Sequence, residues 1–166
     1  MRVEVISTDE LGDRSYVVWS GVDAVVIDPQ RDVDRFEAVL ARLGVTASLV
    51  VETHIHNDYV TGGLELARRQ GARYAVNAAD TVRFERLPVS DGDELEAGSL
   101  RVSVIATPGH TDTHLAYAVR DLDEPDRAPA IFTGGSLLFG SVGRTDLVDP
   151  ERTVELTHAQ YHSAPR

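Results

Sequence analysis

The opening of the chain carries apolar runs that read as strands, "VEVIS", "SYVVWS" and "DAVVID", broken by "DELGD" and "SGVD", which hold turn residues. In "DVDRFEAVLARLG" the apolar residues Val33, Phe36, Val39, Leu40 and Leu43 fall at helical spacing, and Gly44 is a good C-terminal stop. "ASLVVE" is then a buried strand that delivers "THIHND" at its C-terminal end. "GGLELARRQG" reads as a helix closed by Gly71, and "ARYAVN" as another strand. The histidine loop therefore follows the carboxyl end of a strand, where open α/β sheets place their ligands.

The second part starts over with strands. "DGDELEAGSLRVSVIATPGH" gives a turn-rich hairpin and an apolar strand running into "TPGH", "HLAYAVRD" alternates, and "DLDEPDRAP" is an exposed acidic turn. "AIFTGGSLLFGSVGRTD" is a strand followed by a glycine-rich loop. "DPERTVELTHAQYH" reads as a helix with Asp149 as N-cap and Pro150 at its first position. Two halves that each send a histidine loop to a common edge predict a sandwich of two sheets with helices outside.

Composition narrows the chemistry. The 166 residues suffice for one domain with a real core and are too few for two. No apolar run approaches the roughly 20 residues that span a bilayer, and the start "MRVEVISTDE" lacks the h-region of a secretory signal. A cytoplasmic location away from membranes is expected. The formal net charge is −11, with no cluster of Lys or Arg, so nucleic acid is not an expected partner. There is no cysteine, which excludes disulfides, thiolate ligands and a cysteine nucleophile. Any metal must be held by His, Asp or Glu, which suits zinc or non-haem iron.

Four of the six histidines lie in two windows, His54/His56 and His110/His114. His54 and His56 stand at i and i+2, a spacing that brings both rings toward one point where a strand ends. His110 arrives from a separate strand end after the rigid "TPG" turn. Three neutral imidazoles would hold a divalent ion and leave its remaining face open. Asp58 is then a partner for a ligand or a base for bound water. A lone H-x-H is as consistent with a polar loop; "HND" together with "TPGHT", at strand ends in both halves, favours the metal. His114 is expected to start the next strand and support the turn. His158 and His162 stand at i, i+4, but Ala159 occupies the position of a zincin general base, so an exposed helix face is expected.

"THIHNDY", "TPGHT" and "FTGGS" resemble the T-H-x-H-x-D-H, P-G-H and T-G-D motifs of the metallo-β-lactamase superfamily, and the resemblance runs from Val25–Pro29 to Gly140–Asp146. It implies an α+β fold, the αββα sandwich of two mixed β-sheets packed face to face with helices outside. Within it, "ETHIHNDYVTGG", "TPGHTDTH" and "GRTDL" are most similar to the persulfide dioxygenase and glyoxalase II branch, in the group often fused to rhodanese domains. Members of that branch carry one Fe(II) and oxidise glutathione persulfide with O₂ to sulfite, while their glyoxalase relatives hydrolyse a glutathione thioester at a two-metal centre.

By that resemblance His54, His56 and His110 match the first-metal histidines. In the dioxygenases iron is held by the residues matching His54 and His110 together with the T-G-D aspartate. Asp58 matches a second-metal ligand of the hydrolases, and the glycine loop and "GRTD", with Arg144, are expected to help bind substrate. Two positions depart from the pattern. Tyr59 stands where the second-metal histidine would be, its hydroxyl expected near the open face or its ring filling the vacated space, and Gly135 stands where T-G-D supplies a carboxylate. A two-metal hydrolase is therefore not expected, and Gly135→Asp is expected to tighten iron binding if the ligand geometry is otherwise intact. The domain, 1–166, is also shorter than the superfamily norm, with the last helix–strand unit of the second half missing. That predicts an exposed sheet edge or a homodimer.

The reading is a one-metal enzyme of sulfur metabolism, persulfide dioxygenase-like, with Fe(II), or Zn(II) as the alternative. The alternatives in function are a non-catalytic module of the same fold and a Zn-dependent thioester hydrolase. Expected partners are a small-molecule thiol or persulfide substrate and a rhodanese-type sulfurtransferase.

Overall fold

A computed structural model describes residues 1–8 and 12–165 of the chain. The first three residues of the turn assigned to "DELGD" lie outside the described residues. The first half builds a six-stranded sheet from β1 (Arg2–Thr8), β2 (Asp13–Ser20), β3 (Asp23–Ile27), β4 (Thr46–Val51), β5 (Arg73–Asn77) and β6 (Leu87–Val89), in chain order across the sheet. β1, β2 and β3 pair antiparallel, and β3 to β6 pair parallel. The switch follows from the connections, because parallel neighbours need a crossover, here the helices α1 (Val33–Leu43) and α2 (Gly63–Gln70). α1 buries Val33, Phe36 and Leu40 against Val26 and Val50 on the sheet's outer face. It stops where Gly44 takes φ 69° and its N–H reaches back to the Ala41 carbonyl.

The second sheet has the order β10-β9-β8-β7, from β7 (Glu94–Ala97), β8 (Leu100–Ala106), β9 (Leu115–Asp121) and β10 (Ala130–Phe132). The expectation of mixed sheets holds for the first sheet; the second is antiparallel throughout, since turns rather than helices join its strands. The inner faces meet in one core, where Val25, Ile27 and Leu49 of the first sheet share a cluster with Val102, Leu115 and Tyr117 of the second. The outer face of the second sheet carries Arg101, Ser103, Arg120 and Ile131, exposed or half-buried. α1 and α2 thus cover the first sheet, while the third helix sits at the end of the sandwich.

That end is completed by a hairpin, β11 (Leu137–Leu138) with β12 (Ser141–Val142), and by α3 (Thr153–Ser163). The helix predicted from Asp149 opens as a 3₁₀ turn over Pro150–Arg152, whose Glu151 N–H donates to the Asp149 carboxylate at 2.9 Å. Gln160 then donates to the Ser136 carbonyl and hydroxyl, and Ser163 to the Pro108 carbonyl. β6 and the hairpin are too short to stand out as hydrophobic patterns. Among the described residues, no helix is long and apolar enough to cross a membrane.

Register sets the functional edge. Ile27 lies beside Val51 in the parallel pair, so Asp28 and Glu52 leave the sheet side by side. Ala106 lies opposite Leu115, and one step on the Thr107 N–H donates to the His114 carbonyl at 2.9 Å. The sheets are tied at this edge by Leu115 N–H to the Thr53 carbonyl, 2.7 Å, and Tyr117 OH to the Glu52 carbonyl, 2.7 Å.

Candidate metal centre

The edge gathers four imidazoles. The rings of His54 and His56 stand 4.0 Å apart, His54 and His110 4.9 Å, and His54 and His114 4.9 Å. Three of the four are the ligands expected from sequence.

His54, His110 and His114 are each held through Nδ1, which decides what the other nitrogen can do. Thr53 Oγ1 donates its hydrogen to Asp28 Oδ2 at 2.7 Å, so at 2.9 Å from His54 Nδ1 it can only accept. His54 is therefore protonated on Nδ1 and keeps a lone pair on Nε2. His110 donates from Nδ1 to the Arg144 carbonyl at 2.9 Å, which likewise leaves Nε2 free. His56 turns Nε2 inward, 3.5 Å from Asp28 Oδ1 and 4.0 Å from Glu52 Oε2, and its Nδ1 stands 3.7 Å from Asp58 Oδ1. His54 and His110 thus each keep an Nε2 lone pair, and carboxylates and a main-chain carbonyl stand behind the histidines.

Burial keeps His54 and His114 neutral. It lowers the His54 pKa to about 2, helped by the neighbouring histidines, and lowers His114 to about 3. Burial also opposes protonation of His56, but Asp28, then Glu52 and Asp58, outweigh it and raise its pKa. Burial likewise works against the Asp28 carboxylate, yet His56, His54 and the Thr53 N–H hold its pKa low. Glu52 has less help: burial, then the charge of Asp28, push it up to about 8.

Asp28 and Glu52 were not singled out by sequence reasoning. Asp28 is the one non-glycine residue with positive φ, 51°, among the described residues. It is 3% exposed and accepts from both the N–H and the hydroxyl of Thr53, at 2.6 and 2.7 Å. Glu52 is 1% exposed; its Oε1 accepts from Thr61 and from Tyr74 OH, while its Oε2 is buried without a hydrogen-bond partner. The signal was present in the sequence: an acid that ends the apolar run "SLVV" needs a buried partner. Among the described residues, the one group of three potential ligand atoms within 4.8 Å of one another is Asp28, Glu52 and His56. The three expected histidines are adjacent but wider than that.

Position 135 faces the centre. A Cβ on Gly135 would lie 2.6 Å from His110 Nε2, so the His110 ring fills the space a side chain would need. This corrects the expectation for Gly135→Asp, because a carboxylate there must first displace a ligand. Gly143 closes the slot, since its own Cβ would lie 3.0 Å from His110 Nδ1.

The remaining expected residues sit around this core. Asp58 is exposed beside His56. Tyr59 lays its ring on His56 at 4.2 Å, and its hydroxyl donates to the Asp28 carbonyl at 3.3 Å, so the hydroxyl turns inward and not toward the open face. Arg144 lends His110 its carbonyl, while its exposed guanidinium is paired with Asp146 at 3.0 and 2.7 Å. His114 supports the "TPGH" turn as expected, through its carbonyl and through Nδ1 at 2.8 Å from Thr107 Oγ1, but it also stacks on His54. His158 and His162 are on the exposed face of α3.

Comparison with known proteins identifies the family and the fold. A family model described as "Metallo-beta-lactamase superfamily" matches residues 9–150. A hydroxyacylglutathione hydrolase of Acidiphilium cryptum is 38% identical over 152 residues, 90% of this chain and 56% of its own length. Among solved structures, a metallo-beta-lactamase of Staphylococcus aureus superposes with TM-score 0.84 at 26% identity, covering 99% of this chain and 52% of that one. ETHE1 of Myxococcus xanthus gives TM-score 0.77 at 33% identity, covering 89% and 63%. The chain spans about half the length of the curated relatives it matches.

Proposed function

This chain belongs to the metallo-β-lactamase superfamily, and from that premise we propose that it is a single-metal enzyme acting at the sulfur of a small-molecule thiol derivative, in the manner of a persulfide dioxygenase. The observation that carries the single-metal part of this reading is the pair of substitutions at the centre: Gly135 offers no carboxylate, and the Tyr59 ring lies flat on His56 where a second metal's ligand would stand. The sulfur chemistry rests on the resemblance of the histidine motifs to the persulfide dioxygenase branch. The donor set that remains is His54 Nε2, His56 Nδ1 and His110 Nε2, three neutral imidazoles that suit Fe(II) or Zn(II). The bound ion would polarise the substrate's sulfur function and, as iron, supply the oxygen chemistry.

The chain's own residues have separate tasks. Burial keeps the His54 lone pair unprotonated, and the inner carboxylates turn His56 so that its other nitrogen faces out. Asp58, exposed beside that nitrogen, holds or moves a proton at the open face. Arg144, at the rim, exchanges Asp146 for a carboxylate of a glutathione-type substrate.

A second reading, a zinc-dependent thioester hydrolase, is favoured by the hydroxyacylglutathione hydrolases among the relatives. Purified protein assayed for bound iron and zinc, for O₂ uptake with glutathione persulfide and for thiol release from a glutathione thioester separates the two. One iron per chain with persulfide-dependent uptake is expected. Thiol release without uptake moves the assignment to the hydrolase, and metal binding with neither activity overturns both.

A further inference from the structure

We propose that the chain has a second, inner seat for a divalent cation, formed by Asp28 Oδ1, Glu52 Oε2 and the inward nitrogen of His56, which closes the junction between the ends of β3 and β4. It does not depend on the catalytic reading above. Two atoms point to it: Glu52 Oε2 and His56 Nε2 are both buried without a hydrogen-bond partner, and they face each other at 4.0 Å. Buried polar atoms are rarely left in that state, and two in one place call for a shared occupant. The third corner, Asp28 Oδ1, is 3.5 Å from the same nitrogen. Donors about 2.0–2.2 Å from one ion stand roughly 3 to 4.4 Å apart, and these separations fall in that range.

The rest of each side chain is already fixed. Asp28 is oriented by Thr53 on both of its oxygens, and Glu52 Oε1 is held by Thr61 and Tyr74. Gly63 permits this, because a Cβ there would strike the Tyr74 ring and Glu52 Oε1. Two carboxylates and one imidazole form a harder donor set than three imidazoles, favouring a Mn(II)-type ion over zinc. Glu52 is 1% exposed, Asp28 3%, and Tyr59 covers His56. A closed seat of this kind is structural and has no open position for substrate. Because both seats draw on one neutral ring, His56, an ion occupies one or the other, and the chain binds one at a time.

Mn(II) binding, followed by loss of the free-ion electron paramagnetic resonance signal, tests the inner seat. His54→Ala/His110→Ala removes two outer ligands and none of the inner ones, so this variant should keep its Mn(II) affinity within about threefold, whereas adding the isosteric Glu52→Gln should lower it about tenfold or more. Glu52→Gln alone should weaken Mn(II) more than Zn(II), which the three histidines still hold. Circular dichroism establishes that each variant is folded. If folded His54→Ala/His110→Ala binds Mn(II) no better than the triple variant, or wild type binds none, the inner seat is overturned. The outer centre fails by a different result, zinc affinity unchanged when His54 and His110 are removed.

Discussion

Each sheet sends two histidines to the shared edge, and the two pairs are secured by different physics. On the first sheet, His54 and His56 rest on a buried network of Thr53, Asp28 and Glu52, held by charge and hydrogen bonds. On the second, His110 is held by a main-chain carbonyl and by the absence of side chains at Gly135 and Gly143. The first pair is therefore sensitive to charge and pH, and the second to volume. Side-chain networks in low dielectric are costly to break because each lost partner strands another, whereas a glycine slot fails when one carbon is added.

The largest effect is expected at the charge-held pair. Asp28→Ala removes two acceptors from Thr53, uncovers Glu52 and His56, and places a Cβ residue without a local polar partner at positive φ. A loss of about 3–5 kcal/mol is expected in denaturant unfolding. Asn, which tolerates that φ and keeps one acceptor, should recover part of it. An equal loss for Asn and Ala would show that the charge alone matters.

At the volume-held pair, Gly135→Ala should displace His110 and weaken zinc binding by about tenfold or more, with little change in unfolding. Unchanged affinity would mean that His110 is not a ligand.

The buried groups of this edge also differ in pH response. His54 and His114 titrate near 2 and 3 in the folded chain, below the ordinary histidine value, so the unfolded chain binds more protons and metal-free stability falls as pH drops below about 6.5. Glu52 runs the other way. Held protonated up to about 8, it makes stability fall as pH rises from about 4.5 toward 8, and His56, raised as well, adds to the loss above about 6.5. Between about pH 4.5 and 6.5 the two imidazoles outweigh the one carboxyl, so metal-free protein should be most stable near pH 6.5, and Glu52→Gln should flatten the alkaline limb above it. An alkaline limb identical in Glu52→Gln would contradict the assignment.

Arg144→Ala should change least. Its exposed pairing with Asp146 contributes little to stability, and the carbonyl that holds His110 survives the substitution. Metal affinity should be unchanged while the KM for a glutathione substrate rises; a lower metal affinity would reassign Arg144 to the centre itself.

Much of this was legible in the sequence, for identifiable reasons. Helical spacing around Phe36 and Leu40 and a glycine stop at Gly44 are local signals, and α1 follows them. The histidine windows were legible because H-x-H and P-G-H sit at strand ends, which the pattern marks. Asp28 and Glu52 were not, because their meeting depends on the parallel register of β3 and β4, a property of the sheet and not of either segment. Tyr59 was noticed, but the direction of its hydroxyl depends on the Asp28 carbonyl, which no spacing reveals.

Metal-to-protein stoichiometry in zinc-loaded wild type, measured beside His110→Ala, tests the central claim most directly. One ion per chain is expected in wild type, with zinc affinity falling about tenfold or more in the variant. Two ions per chain, or zinc affinity indifferent to His110, would contradict a single centre built from both sheets.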